Sequence, residues 1–307
     1  LTGQTHPVQG DEFEINREQA FGKDLISEFV VEKIAVADTQ VNKSNYPFEP
    51  LFTDSFFMGL EYVGNANEYR DNLFRLSHFP SKTIGAVFAY SQKSVLGVAE
   101  KDNSLPRFNE YLNQIRLPGV TAHLDYNSWW TLPHPHYTES DVLKLVDKLK
   151  TKLFDRYKIR CHTFTIDEGW ANPQSIWQIN GQLFPQGFKN IAQSLERMGT
   201  KLGLWVSPNC LYANSTDYDW AQAQGYTILN NGQLRGLCLG CARYATAAKT
   251  NWLKLISENN LALIKFDGFW PSWFDSPGHD HLTDPKHTCE ANLDNYLTFL
   301  KSIRYYN

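Results

Sequence analysis

The chain lacks the sequence features that mark several large classes of protein. It contains no run of 18 apolar residues, so no membrane-spanning helix is predicted. Its 29 Lys and Arg are outnumbered by 33 Asp and Glu, giving a net charge of −4, and they form no basic stripe. We therefore expect neither a nucleic-acid partner nor a membrane partner. Glycine-rich nucleotide-binding motifs and the Gly-x-Ser-x-Gly elbow of serine hydrolases are also missing.

Cysteine is scarce. Five cysteines in 307 residues, an odd number, do not make a disulfide framework. Cys238 and Cys241 have Cys-x-x-Cys spacing, but no second pair follows at the distance typical of zinc sites. We therefore expect buried thiols or one local disulfide, and the sequence predicts no metal ion and no cofactor.

Aromatic residues, in contrast, are abundant. They make up 14% of the chain and include nine Trp and fifteen Tyr. Such side chains fill cores and interfaces, and they also stack on the C–H faces of sugars; composition alone favours the first use. With 42% hydrophobic and 20% charged residues, the chain has enough apolar content for one large domain or two ordinary ones.

The first third of the chain has the pattern of an antiparallel β-sandwich. Short runs that alternate apolar and polar residues are bounded by Asn, Asp, Pro or Gly. The runs predict strands at 28–37, 55–64, 72–79, 83–90 and 94–99. A helix over 105–115 leads out of them, and Pro118-Gly119 marks a boundary. We predict a β-sandwich-like domain with a linker helix over 1–117 and a second domain over 118–307.

From Val120 onward, strands alternate with helices. Strands are predicted at 120–126, 161–166, 202–206 and 261–264, and helices at 142–153, 188–195, 245–257 and 293–303. A capping-box spacing at Thr138 predicts the start of the first helix, and 207–240 is predicted to be an irregular insert. This alternation implies a parallel sheet, either open and doubly wound or closed into a barrel.

The strand ends favour the barrel. All four carry polar and aromatic residues, and several strands contributing to one site is the arrangement of a (β/α)8 barrel of the TIM type. Only four βα units fit within the sequence, however, and half a barrel would leave unpaired parallel edges. We therefore expect the natural chain to continue beyond Asn307.

The fourth strand end is the most informative. Lys265 and Asp267 point to the same side because side chains alternate along a strand. A carboxylate beside a lysine is kept ionised, ready to attack or to stabilise positive charge. A purely structural ion pair is an equally good interpretation of these two residues alone.

Two adjacent carboxylates, Asp167 and Glu168, follow the second strand. They can hydrogen-bond sugar hydroxyls, ligate a metal ion or form an acidic surface turn. A metal is disfavoured because His123 and Asp125 are the only other obvious ligands. Tryptophans at the strand ends indicate instead a walled pocket: Trp129, Trp130, Trp170 and Trp205.

Together these motifs resemble glycoside hydrolase clan D, the α-galactosidase superfamily, and most of all its family 36 branch with the bacterial melibiase-type enzymes. In that clan a β-sandwich precedes a (β/α)8 barrel. Its second strand ends in Asp-Asp-Gly-Trp or Asp-Asp-Cys-Trp and its fourth in Lys-x-Asp. Here these motifs stand as Asp167-Glu168-Gly169-Trp170 and Lys265-Phe266-Asp267. Less specific matches are Asn127-Ser128-Trp129, Gly203-Leu204-Trp205 and the position of Arg243.

The resemblance implies a retaining exo-glycosidase that acts on an oligosaccharide or glycoconjugate with a terminal α-galactoside. Asp267 would be the nucleophile, and Lys265 would bind sugar hydroxyls and keep Asp267 ionised. Asp167 and Glu168 would hold the hydroxyls O4 and O6. The resemblance also implies pocket walls and an arginine near O2: Trp129, Trp205, Trp170 and Arg243.

Two departures from the clan pattern matter. Glu168 replaces the usual second Asp, which leaves α-N-acetylgalactosaminidase or galactosyltransferase activity open, as well as a non-catalytic carbohydrate-binding role. The clan's general acid/base follows the sixth strand, beyond these 307 residues, so we expect this fragment alone to be inactive. Nothing in the sequence favours one compartment or decides between a monomer and a homo-oligomer.

Overall fold

The computed structural model describes residues 15–17, 26–35, 49–70, 73–80, 92–117, 119, 122–212, 215–230, 232, 234–269, 278–282 and 285–304. The chain divides into two compact units, one formed by 1–119 with 284–293 and the other by 120–283 with 294–307. The domain boundary between 117 and 118 stays a prediction. Within the described ranges, no helix combines the length and apolarity needed to cross a lipid bilayer.

Unit 1 contains two antiparallel sheets. Its elements are β1 (Ile15–Arg17), β2 (Ile26–Ala35), β3 (Leu51–Phe52), β4 (Phe56–Leu60), β5 (Ala66–Arg70), β6 (Leu73–His78), β7 (Ser94–Val98) and α1 (Ser104–Ile115). The strand orders are β1-β2-β6-β5 and β3-β4-β7. The two sheets meet where the ring of Phe56 packs edge-on against the buried Phe74, 5.5 Å between centroids. The strand predicted at 83–90 lies outside the described residues.

Unit 2 alternates strands with helices. Its elements are β8 (Asp125–Asn127), a 3₁₀ turn (Ser128–Trp130), α2 (Glu139–Leu149), a π-helical turn (Lys150–Phe154), α3 (Asp155–Tyr157), β9 (Thr163–Ile166), α4 (Lys189–Glu196), β10 (Lys201–Val206), α5 (Tyr218–Ala223), β11 (Ile228–Asn230), β12 (Arg235–Leu237), α6 (Ala242–Asn259), β13 (Leu263–Phe266) and α7 (Pro285–Arg304). The first half of α7 groups with unit 1.

The main sheet of unit 2 is parallel, and its order is β13-β10-β9-β8. Among these four strands, spatial neighbours are therefore also consecutive. Strands added one after another in a single direction are typical of a (β/α)8 barrel, whereas a doubly wound sheet reverses direction at a switch point. Because the four strands are parallel, all four carboxyl ends lie at one edge of the sheet.

Local chemistry accounts for where these elements begin. At the start of α2, the Asp141 carboxylate accepts hydrogen bonds from the backbone N–H and the hydroxyl of Thr138, at 3.1 and 2.8 Å. This confirms the predicted helix start. The segment 207–240 was wrongly predicted to be irregular throughout. It holds α5, which Asp217 caps by accepting from two backbone N–H groups, and the hairpin β11–β12.

The last strand of the sheet lies two residues later than predicted. The backbone pairing of β10 with β13 runs from Gly203 opposite Leu263 to Val206 opposite Phe266. The N–H of Asp267 then donates to the carbonyl of Val206 at 2.9 Å. Lys265 is therefore inside the strand, and Asp267 is the first residue after it.

The close packing of this sheet predicts a sharp response at Gly203. A Cβ there would lie 2.5 Å from Oγ1 of Thr165, a buried β-branched residue whose hydroxyl is hydrogen-bonded to Asp125. We expect Gly203→Ala to lower the free energy of unfolding by about 1–3 kcal/mol, since Thr165 has little room to move.

The measurement is chemical denaturation, with Gly181→Ala as the matched control. A Cβ at Gly181 meets nothing within 4 Å, so the control is expected to change stability by less than about 0.5 kcal/mol. Equal stability of the two variants would contradict the tight contact between β9 and β10.

Candidate active site

The carboxyl ends of β8, β9, β10 and β13 border a cavity of about 340 Å³. This volume is at the lower end of the range of about 300–1,000 Å³ found for small-molecule sites. The cavity is lined by aromatic rings, three carboxylates, one amide and one amine: Asn127, Trp129, Trp130, Asp167, Glu168, Trp205, Tyr212, Lys265 and Asp267. Each of the four strands supplies residues at or just after its end.

An ion pair spans the sheet at this edge. Lys265 Nζ lies 2.8 Å from Asp167 Oδ2, and the Asp167 side chain is only 2% exposed. Lys265 was predicted to lie beside Asp267 instead, and the strand register explains the difference. Ile166 lies opposite Leu204, so the next residue, Asp167, is level with Trp205, and Trp205 lies opposite Lys265.

Asp167 is held on every side. Its other carboxylate oxygen accepts the N–H of Glu168 at 2.9 Å, and its own N–H donates to the hydroxyl of the buried Ser128 at 3.0 Å. The hydroxyl of Tyr137 donates to the Asp167 carbonyl at 2.6 Å. These bonds fix the position of the carboxylate that Lys265 contacts.

Asp267 is held differently, by neutral donors. Its Oδ1 accepts the N–H of Gly268 at 2.8 Å and its Oδ2 accepts the indole N–H of Trp205 at 3.1 Å. Each of its two carboxylate oxygens is therefore fixed in position by one donor. Gly268 has φ +62°, and a Cβ there would lie 2.5 Å from the ring of Tyr212, so the turn that follows Asp267 requires glycine on both counts.

Glu168 lies beside Asp167 in the cavity lining and is 6% exposed. Its carbonyl is 2.7 Å from Nδ1 of His134, which therefore carries the proton and donates. The His134 ring in turn packs against Trp129, 5.0 Å between centroids. The loop after β8 thus supports both an aromatic wall and the backbone of the acidic pair.

Tyr212 lines the cavity and was missed by sequence reasoning, because it falls in the segment predicted to be irregular. Its ring packs edge-on against Trp205, 5.4 Å between centroids. Burial raises the pKa of its phenol, and the negative charges of Asp267 and Glu168 raise it further. Tyr212 therefore stays protonated at neutral pH and offers a hydroxyl to the cavity. Trp130, expected as part of the pocket wall, and Asn127, from the less specific Asn-x-Trp match, also line it.

Two residues predicted at the site are not part of the cavity lining. Trp170 is fully buried; its indole N–H donates to the carbonyl of Trp205 at 3.0 Å, and its ring packs against Trp177. It therefore supports the wall from behind. Arg243 is exposed on the first turn of α6, where its guanidinium lies over the ring of Tyr226 at 5.4 Å.

The cavity carboxylates do not form a cluster suited to a metal ion. Within the part of the chain that the structure describes, one group of at least three Cys, His, Asp or Glu side chains has its ligand atoms close enough together. It consists of Cys238, Cys241, His279 and His281, and none of these lines the cavity.

A parallel sheet of consecutive strands with polar and aromatic residues at its carboxyl edge is typical of part of a TIM-type barrel. Residues 124–303 match the family described as "Glycosyl hydrolases family 31 TIM-barrel domain". This is more than half of the chain, and the chain belongs to this family.

The chain is also similar to curated proteins that are named α-galactosidases. It is 22% identical over 170 residues to Alpha-galactosidase 1 of Pediococcus pentosaceus, covering 52% of this chain and 21% of that protein. It is 29% identical over 79 residues to Alpha-galactosidase Mel36A of Lactobacillus acidophilus, covering 24% and 11%. The resemblance to the α-galactosidase superfamily is thereby confirmed. The chain spans about a fifth of the length of Alpha-galactosidase 1 and of Alpha-galactosidase 2 of Pediococcus pentosaceus, and 11% of the length of Mel36A.

Solved structures agree on the fold. The α-galactosidase of Lactobacillus brevis superposes with a TM-score of 0.62 at 15% identity, covering 92% of this chain and 46% of that one. The GH36 α-galactosidase AgaA of Geobacillus stearothermophilus, in complex with raffinose, superposes with a TM-score of 0.59 at 12% identity, covering 91% and 40%.

The charge environment of Tyr212 yields a testable prediction. Replacing Asp267 with Asn removes a negative charge that disfavours the phenolate, so the pKa of Tyr212 should fall while staying above its ordinary value because burial remains. The measurement is a pH titration of phenolate absorption in the wild-type protein and in Asp267→Asn. In each case the titration of the same protein with Tyr212→Phe added is subtracted, which isolates the signal of Tyr212. An unchanged pKa would contradict the proximity of the two groups.

Proposed function

We propose that this chain carries the sugar-binding side of an active site that hydrolyses terminal α-galactosides, with Asp267 as the nucleophile of a retaining mechanism. One observation carries the proposal: the ends of four consecutive strands bring three carboxylates, one lysine and several aromatic rings to a single cavity of about 340 Å³. Convergence of charged and aromatic groups at the carboxyl edge of a barrel sheet is the usual layout of a barrel enzyme.

Asp267 is the best candidate for the nucleophile because its carboxylate is not engaged by a cation. Its hydrogen bonds come from a backbone N–H and an indole N–H, whereas Asp167 is engaged by Lys265. In the proposed first step, a carboxylate oxygen of Asp267 bonds to the anomeric carbon as the glycosidic C–O bond breaks. Water then cleaves the glycosyl ester in the second step.

Lys265, Asp167 and Glu168 would bind the hydroxyls of the sugar. The ammonium of Lys265 has donors beyond the one that Asp167 accepts. Carboxylates accept strong hydrogen bonds from hydroxyl groups. An epimer whose hydroxyl points elsewhere would leave such a carboxylate without this bond and would bind more weakly. Trp129, half-exposed at the rim, would stack on a C–H face of the ring.

A retaining mechanism also needs a general acid to protonate the leaving oxygen. The resemblance to clan D expects this group after a sixth barrel strand, and the main sheet described here has four strands. The proposal therefore assigns the acid/base to no residue of this sequence.

The names of the relatives support galactose as the sugar. The relatives compared above are named α-galactosidases, and the AgaA structure holds raffinose. Glu168 is the residue that tests this choice, because it lines the cavity and its side chain is one methylene longer than the Asp expected from the clan motif.

The nucleophile is tested by covalent labelling of the full-length protein. A galactose-configured mechanism-based inactivator should add its mass to the peptide that contains Asp267, and Asp267→Asn should abolish both the label and turnover, by about 10³-fold or more. Asp147→Asn, an exposed carboxylate on α2, is the matched control and should label normally. Label on a different residue would overturn the assignment of Asp267.

Sugar choice is tested with paired probes. We expect the galactose-configured inactivator to react faster than its glucose-configured epimer, and Glu168→Asp to change this ratio by about tenfold while Asp267 remains labelled. A preference for the glucose epimer would refute galactoside specificity. Binding of galactosides without any labelling would instead indicate a carbohydrate-binding protein that is not catalytic.

A further inference from the structure

A second cluster of reactive side chains lies in unit 2, apart from the residues that line the cavity. Cys238 and Cys241 precede α6, and His279 and His281 follow β13 along the chain. Each offers one ligand atom, and the four atoms all lie within 4.8 Å of one another. The geometry points to a structural zinc site formed by two thiolates and two imidazoles.

Three of the six distances among the four ligand atoms are close to those of a tetrahedron around one zinc ion. Zn–S bonds of about 2.3 Å and Zn–N bonds of about 2.0–2.1 Å place two nitrogens ~3.3 Å apart and a sulfur and a nitrogen ~3.6 Å apart. The two histidine nitrogens, Nδ1 of His279 and Nε2 of His281, are 3.2 Å apart. The sulfur–nitrogen distances are 3.2 Å from Cys238 to His281 and 3.5 Å from Cys241 to His279.

The hydrogen bond made by the His281 ring is the one expected of a metal ligand. Its Nδ1 is 2.6 Å from the carbonyl oxygen of Leu282, so this nitrogen carries the proton and donates. The other nitrogen, Nε2, faces the cluster at 3.2 Å from Cys238 Sγ, and in the neutral ring it carries the lone pair that binds a metal ion. Metal-bound histidines almost always donate their second N–H to such an acceptor, which fixes the tautomer and the ring orientation.

The surrounding backbone holds the two ligand pairs together. Asp280, between the two histidines, accepts the N–H of Ala242 at the start of α6, at 2.9 Å. Asn295 on α7 donates to the carbonyls of Leu239 and Gly240, at 2.9 and 3.2 Å. Two separate loops are thus anchored with their ligand side chains facing each other.

The two sulfurs belong to buried cysteines that form no disulfide, with Cys238 0% and Cys241 4% exposed. A thiolate is the form that binds zinc.

Zinc suits this set better than a disulfide or another metal. Thiolate with imidazole in a tetrahedral arrangement selects zinc, and oxygen-seeking ions such as Mg²⁺ or Ca²⁺ find no carboxylate in the set. Four protein ligands close the coordination shell, which marks a structural site rather than a catalytic one. A Cys238–Cys241 disulfide would not explain why an imidazole nitrogen lies close to each sulfur.

A zinc ion here would tie the chain that follows Asp267 to the start of α6. Asp267 directly follows β13, and His279 is the twelfth residue after Asp267, so the ion would fix the position of a residue close to it in sequence. The site therefore predicts a link between metal content and the stability of the strand end that carries the candidate nucleophile.

The direct test is the zinc content of the full-length protein, purified without a polyhistidine tag and measured by inductively coupled plasma mass spectrometry. About one zinc per chain is expected, and Cys238→Ser or His281→Ala should lower this by about tenfold or more. Cys161→Ser, which changes a thiol outside the cluster, is the matched control and should retain the metal. His281→Cys should also retain it, because three thiolates and one imidazole bind zinc.

A second measurement does not depend on the variants being folded. Wild-type protein reconstituted with Co²⁺ should show the intense ligand-field bands of tetrahedral cobalt together with a thiolate charge-transfer band. Absence of zinc combined with absence of this spectrum would overturn the proposal, as would a Cys238–Cys241 disulfide found by mass spectrometry in the native protein.

Discussion

The ion pair between Lys265 and Asp167 is the constraint on which the cavity depends. Three carboxylates line one small cavity, and a buried carboxylate without a partner would cost several kcal/mol. Lys265 is the cation that lines this cavity, and it contacts the most deeply buried of the three, Asp167. Because β10 lies between the two strands that carry this pair, the ion pair also positions Trp205, which is level with both residues. Asp267 is then held by Trp205 and by its own turn, free of the lysine.

Much of this arrangement follows from one-dimensional patterns. Strand–helix alternation predicts a parallel sheet, and motifs at strand ends predict which residues meet at one edge. Trp129, Asp167, Glu168, Trp205, Lys265 and Asp267 were all expected at the site, and all line the cavity. The start of α2 could likewise be predicted, because a capping box depends only on neighbours in the sequence.

The rest depends on register and on where the chain returns in space. The partner of Lys265 is decided by strand pairing, which no local pattern shows. Trp170 follows a strand end just as Trp129 does, yet it turns into the core. Arg243 matches a family position but lies on the outer side of its helix start. Tyr212 lies in a segment without periodicity, so no pattern predicted its place in the cavity. Cys241 and His279 are 38 residues apart in the sequence, so their contact could not be predicted from local spacing.

Some aromatic residues pack in the core and others lie exposed at the cavity, where they could stack on a ligand. These are the two uses that composition left open. Trp170, Trp177 and Trp252 are fully buried in the core of unit 2. Trp129 and Trp130 are exposed at the cavity, by 44% and 87%. A protein that exposes two adjacent indoles forgoes their burial energy, which is expected where a ligand covers them.

The consecutive strand order has a consequence for how such a site diverges between relatives. The tips of β9 and β13 are joined by the ion pair, so a substitution at one of them needs a matching change at the other. The indole of Trp130, at the tip of β8, projects mainly into solvent, and its identity is constrained by little besides the ligand. Differences between relatives should therefore accumulate in the loop after β8, whereas Asp167 and Lys265 should change only together.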